Sequence, residues 1–142
     1  MKDKKKTRVM FVCIGNACRS PMAEAIARRE ASDILEISSA GLLPLGYLPE
    51  MTLQTLTGNG YSTEGLSSKP IRHEDLSNTD IVINLSGQTR VPVFAAAARV
   101  EDWPVADPYG EDAAIYQTIL EEIERRVKDL SARLRKVSSG MN

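Results

Sequence analysis

Thiols and imidazoles are scarce in this chain: two cysteines and one histidine among 142 residues. Cys13 and Cys18 sit in one short stretch, which excludes a disulfide-stapled secreted scaffold; that would need more cysteines, more widely spaced. With His73 as the lone imidazole, there are too few soft ligands for a closed zinc site, so no metal and no other cofactor is expected. Free thiols suit a reducing compartment, and the expected location is cytoplasmic. No apolar run approaches the length of a membrane span. The opening M-K-D-K-K-K-T-R leads into a short strand-like run rather than an apolar signal core, and reads as a solvated tail. An excess of charge of one sign is also missing. Lys and Arg number 18 against 19 Asp and Glu, a net charge of −1. Such a surface projects no long-range field, so neither nucleic acid nor membrane is expected as a partner.

What is present describes an ordinary globular chain: 42% hydrophobic and 26% charged. Its length predicts a single domain over residues 1–142. Residues 8–12 form a β-rich run suited to a buried parallel strand. Pro21 opens a helix-forming run over 22–31, since proline is favoured in a first helical turn. A second strand is expected at 34–38, a breaker-rich loop at 41–49, and a helix at 50–57 stopped by Gly58-Asn59-Gly60. Residues 80–85 read as a third strand, 90–98 as a helix, and 99–105 as a short fourth strand. Residues 112–137 form a long amphipathic helix with Ile115, Ile119, Ile123, Val127, Leu130, Leu134 and Val137 as its core stripe. Residues 138–142 read as a frayed tail. Strands alternating with helices predict an α/β fold, a parallel sheet covered on both faces.

The densest chemistry lies at residues 8–20, R-V-M-F-V-C-I-G-N-A-C-R-S. Ligands of open parallel sheets bind at the carboxyl ends of strands, and Cys13 marks such an end. The following loop, Ile14, Gly15, Asn16, Ala17 and Cys18, is expected to turn its backbone N–H groups inward at the positive end of the next helix. Gly15 would allow close approach and a positive φ, and Asn16 would tolerate a left-handed conformation. The fork of Arg19 matches two oxygens of a phosphate. A helix N-terminus and a nearby Arg favour thiolate over thiol at Cys13, and the Ser20 hydroxyl can donate to the sulfur. A thiolate facing a bound phosphoester is placed for in-line attack through a phosphocysteine. Asp107, in D-P-Y-G just after the fourth strand, is the candidate acid for the leaving oxygen and the base for the water that follows.

These residues resemble the low-molecular-weight protein tyrosine phosphatases and the related arsenate reductases. The anchors are V-C-I-G-N-A-C-R-S-P-M-A-E (12–24), S-A-G (39–41), D-I-V-I-N-L (80–85) and D-P (107–108). The resemblance implies a three-layer α/β/α fold with a four-stranded parallel sheet. It implies Cys13 as nucleophile, Arg19 as phosphate clamp, Ser20 as thiolate stabiliser, Asn16 as loop organiser and Asp107 as general acid. It places the loop 42–48, with Leu43, Leu45 and Tyr47, on one wall of the cleft and Tyr109 on another. Implied ligands are phosphate, vanadate and arsenate; implied substrates are a phosphotyrosine protein or a small aryl phosphate.

The two branches differ in their cysteines. Thioredoxin-coupled reductases carry two further cysteines after the third strand, whereas this chain has Ser86 there and no cysteine beyond it. That relay cannot run. W-P-V-A-D-P (103–108) and the short loop 39–49 look like the reductases, while Pro21 looks like the phosphatases. The phosphatase reading is preferred, with arsenate reduction by an external thiol as the alternative. The wall loop lacks the Trp, or the aromatic with a His, usual in phosphatases, and Gly110 stands where many have a second tyrosine. Cys18 has two readings, packing beneath the loop or a reversible disulfide with Cys13. Asp107 has a second reading as a turn cap. Asn84 is expected to satisfy a loop backbone, Trp103 to pack, and His73 to lie at the surface.

Overall fold

The structure, a computed structural model, describes residues 5–89 and 91–138. Its centre is β1 (Thr7–Cys13), flanked by β2 (Leu35–Gly41) on one side and by β3 (Ile81–Asn84) and then β4 (Val100–Asp102) on the other. Every pairing is parallel. Register sets Cys13 opposite Gly41 and Val12 opposite Asn84, so the strand ends form one edge. Alternation along β1 sends Val9, Phe11 and Cys13 to one face and Met10 and Val12 to the other. The first face is covered by α1 (Arg19–Ala31), α2 (Glu50–Gly58) and α4 (Ala113–Ser138). The second carries a smaller cluster closed by α3 (His73–Ser77) and a 3₁₀ turn (Pro92–Ala96), through Leu76 and Phe94. The architecture is therefore the expected three-layer α/β/α fold.

α1 begins at Arg19, earlier than the expected Met22, and Pro21 falls inside its first turn. Ala23, Ala25, Ala27 and Ala31 are buried, and their small side chains let the helix lie close between the sheet and α4. α4 is capped by Asp112, whose Oδ1 accepts from the Ile115 N–H at 3.0 Å. The middle of its stripe, Ile119, Ile123, Val127 and Leu130, is buried as expected, each side chain worth about 1.5–3 kcal/mol. Ile115 and Val137 do not belong to the core: they are 42% and 75% exposed, because the inward side of the first turn is taken by Tyr116 and packing ends before the last turn. Tyr116 and Leu120 are buried instead.

The expected helix over 90–98 is only the 3₁₀ turn Pro92–Ala96, and Arg90 lies outside the described residues. Val91, held extended before proline, blocks the helical entry, and Ala97 is extended again. β4 is shorter than expected. After Asp102 the Trp103 N–H bonds the Asn84 carbonyl and the Val105 N–H turns back to Trp103, ending the ladder. α3 has no counterpart among the expected elements. Ser138 closes α4, and the rest of the expected frayed tail, like residues 1–4 of the basic opening, lies outside the described residues. No described helix is long and apolar enough to cross a membrane.

Candidate active site

Sheet order brings the site to the carboxyl end of β1, beside the point where the chain reverses its direction of winding. The loop leaving that end is oriented by its carbonyls. The N–H groups of Leu42, Leu43 and Leu45 bond the carbonyls of Cys13, Ile14 and Gly15, and Thr52 Oγ1 bonds that of Ala17 at 2.9 Å. In a trans peptide the N–H points opposite to the carbonyl, and no peptide here is cis. The N–H groups of Ile14, Gly15, Asn16 and Cys18 therefore face away from those partners. This is the inward-facing arrangement expected of an anion cradle.

The left-handed residue of the loop is Asn16, at φ 48°, and not Gly15. A Cβ on Gly15 would meet its neighbours at 3.7 Å, an ordinary contact. Close approach is required instead at Gly41, where a Cβ would lie 2.8 Å from the Ile14 carbonyl oxygen and 2.9 Å from the Asn16 nitrogen. The expected positive φ at Gly15 is thus wrong because the Asn16 side chain, tied to the Lys69 N–H at 2.9 Å, holds the turn one residue later.

Cys13 is buried, with Sγ 3.0 Å from Ser20 Oγ. Arg19, the first residue of α1, is also buried. Its NH1 donates to the Val105 carbonyl at 3.1 Å, and its NH2 is 3.6 Å from Asp107 Oδ2. Its Nε is buried and makes no hydrogen bond among the described residues. A planar guanidinium clamped on one nitrogen with a second donor unpaired is shaped to take an oxyanion. The carboxylate of Asp107 is half exposed, and its Oδ1 accepts from the Tyr109 N–H at 3.1 Å, so it also caps its own turn.

A cavity of about 210 Å³ is lined by Cys13, Ile14, Gly15, Ala17, Cys18, Arg19, Leu43, Leu45, Asp107 and Tyr109. It collects most of the residues singled out in the sequence, Leu43 and Leu45 of the wall loop among them. Asn16 and Ser20, fully buried, stand behind it, and Tyr47 is not part of its lining. Interaction with Tyr47 holds the Tyr109 phenol above its ordinary value. Leu43, Tyr47 and Tyr109 are exposed.

Cys18 packs beneath the loop, 3.5 Å from both the Tyr116 hydroxyl and Thr52 Oγ1. Burial pushes its thiol up, and the two hydrogen bonds offset only part of that. Asn84 bonds the Gln88 carbonyl at 2.7 Å and Asp102 at 2.8 Å, and accepts from Ser86, closing the turn after β3 as expected. Trp103 packs on Phe11, and His73 is exposed on α3. Sequence reasoning missed Thr52, Tyr116, Ser39 and Glu24. Glu24 closes the opening motif and Ser39 begins S-A-G, which are the hints the chain offers.

Residues 8–139 match the low molecular weight phosphotyrosine protein phosphatase family. A glutaredoxin arsenate reductase of Synechocystis sp. is 30% identical over 129 residues, covering 89% of this chain and 98% of that protein. An arsenate reductase in its phosphate-binding state superposes with a TM-score of 0.78 at 29% identity, over 89% of this chain and 98% of that one. The low molecular weight protein tyrosine phosphatase of T. tengcongensis superposes with a TM-score of 0.77 at 28% identity, over 90% of this chain and 99% of that one.

Proposed function

The chain belongs to the low molecular weight phosphotyrosine protein phosphatase family, and we propose that it is a cytoplasmic, single-domain phosphomonoesterase working through Cys13. The Cys13 thiolate attacks phosphorus in line; the S–P bond forms as the P–O bond to the leaving group breaks. Asp107, as a carboxylic acid, gives its proton to the departing oxygen. Asp107, now a carboxylate, takes a proton from the water that attacks phosphocysteine, releasing phosphate and the thiolate. The inward N–H groups and Arg19 hold the three equatorial oxygens while charge moves between sulfur and oxygen. Ser20 donates to the sulfur. The apolar rim of Leu43, Leu45 and Tyr109 suits the ring of an aryl phosphate, free or on a phosphotyrosine protein.

The observation that carries this reading is the convergence on one cavity of Cys13, whose sulfur is 3.0 Å from Ser20 Oγ, and of Asp107, held 3.6 Å from Arg19. The test is turnover of an aryl phosphate with a rapid-quench search for phosphocysteine. Turnover should be blocked by vanadate, unaffected by chelators and abolished by Cys13→Ser. Unchanged turnover in that variant overturns the mechanism.

A second reading is supported by the names of the relatives. Arsenate fits any phosphate cradle. The Cys13 thiolate would displace hydroxide from arsenic, and an external thiol would attack the Cys13 sulfur. Two electrons would pass to arsenic, arsenite would leave, and a second thiol would reduce the mixed disulfide. Ser86 cannot serve as a relay, since its hydroxyl has no thiol chemistry and is bonded to Asn84 at 2.7 Å. Arsenite release measured beside aryl phosphate turnover, with several thiol donors, separates the two readings.

A further inference from the structure

Behind the phosphate loop runs a buried chain of hydrogen bonds whose directions can be assigned one by one. The Lys69 N–H donates to Asn16 Oδ1 at 2.9 Å, which settles how the amide faces. Nδ2 then points at Ser20 Oγ, 2.8 Å away, and at Ser39 Oγ, 3.0 Å away. An amide nitrogen only donates, so both hydroxyls accept from Asn16 and each has one proton left. Ser39 gives its proton to Glu24 Oε1 at 2.5 Å. Ser20 is left with Cys13 Sγ at 3.0 Å. All five side chains are buried, so water offers no other partner.

We infer that Glu24 is a positioning residue: it takes the Ser39 proton, keeps Ser39 an acceptor for Asn16, and so maintains Ser20 as the standing donor to the Cys13 sulfur. The inference rests on the reading of Cys13 as nucleophile. A hydrogen bond to an ionised group is stronger than one to a neutral group, so this direction favours the attacking form. A buried carboxylate would by its charge alone oppose a second anion nearby. Here Arg28 pairs with Glu24 Oε2, and Lys69 lies within electrostatic reach. Arg19, Cys18, Asp107 and Tyr109 are the charged or titratable groups that share the cavity with Cys13.

The decisive variant is Glu24→Met, which keeps bulk and removes the acceptor. It should lower kcat on an aryl phosphate about tenfold with KM little changed, and move the acid limb of kcat/KM to higher pH. It should slow alkylation of Cys13 by iodoacetamide at neutral pH by a similar factor. Glu24→Gln should stay near wild type, because its Oε1 still accepts from Ser39 once Arg28 swings into water. In a Ser20→Ala background Glu24→Met should cost nothing further, since the chain is already cut. Equal losses in the Gln and Met variants would mean that charge matters rather than direction, and additive losses with Ser20→Ala would mean simple packing; either overturns the inference. Should Glu24→Met fail to fold, Ser39→Ala cuts the same link, leaves the Glu24–Arg28 pair intact, and carries the same expectations. Alkylation reads the sulfur without any substrate, so the inference stands or falls by itself. Absence of phosphocysteine in the wild type counts against the phosphatase reading alone.

Discussion

Arg19 and Asp107 face each other across the cavity, NH2 3.6 Å from Oδ2, one side chain 5% exposed and the other 49%. The pair is asymmetric: Arg19 is fixed by the Val105 carbonyl, whereas Asp107 belongs to a solvent-facing turn. A half-exposed ion pair contributes about 0–1 kcal/mol, so its value lies in aim rather than in stability.

Asp107→Asn should therefore leave the melting temperature unchanged while lowering kcat by about 10²–10⁴ on phosphates with poor leaving groups. Substrates whose leaving oxygen needs no proton should lose much less. A uniform loss across leaving groups, read from a series of substituted phenyl phosphates, would remove Asp107 from the proton-transfer step.

Arg19→Lys should weaken vanadate and phosphate inhibition and reduce kcat/KM on the order of 10²–10³-fold. Lysine keeps the charge but loses the fork, including the unpaired Nε. Inhibition constants as good as wild type would show that charge alone holds the anion.

Gly41→Ala should abolish oxyanion binding and destabilise the fold by about 1–3 kcal/mol, because the new methyl meets the backbone of Ile14 and Asn16 rather than a movable side-chain tip. Gly15→Ala, with contacts at 3.7 Å, should fold normally. Urea midpoints for the two variants decide this.

Alkaline pH should unfold the protein before exposed groups alone would require it. Burial raises Cys18 above 9.0, and burial first with a hydrogen bond second raises Tyr61 and Tyr116 above 10.0. A proton held more tightly in the folded state contributes stability that is complete below the unfolded value and is lost as pH climbs towards the folded one. Urea midpoints should fall as pH passes these unfolded values. Cys18→Ala should flatten the first part of that fall and Tyr61→Phe the second. Identical slopes in all three proteins would refute the assignment.

Local chemistry was the readable part. Cys13, Arg19 and Asp107 are found together because a strand end, a helix start and the turn after the last strand share one edge, which alternation of elements already implies. Periodicity places Ile119 to Leu130 in the core, but it does not decide between Ile115 and Tyr116 in the first turn or mark where packing ends, and Ile115 and Val137 are exposed. α3 is a five-residue turn with only Leu76 buried, too short to show a period. The segment around Pro92 favours helix by composition, and the proline and its extended predecessor prevail. The partnership of Glu24 with Ser39 joins residues distant in sequence, and nothing local to either announces it.

α1 carries Arg19, Ser20 and Glu24 on a helix wedged between the sheet and α4, while Leu43, Tyr47 and Tyr109 stand on loops outside that wedge. On the proposed reading, the side chains that hold the anion and those of the outer rim thus belong to separate parts of the molecule, with Asp107, on the turn of Tyr109, joining the two. Descendants of such a scaffold are free to swap clientele by redrawing the outer loops. They cannot retune the reacting centre without disturbing the beam that keeps the building up.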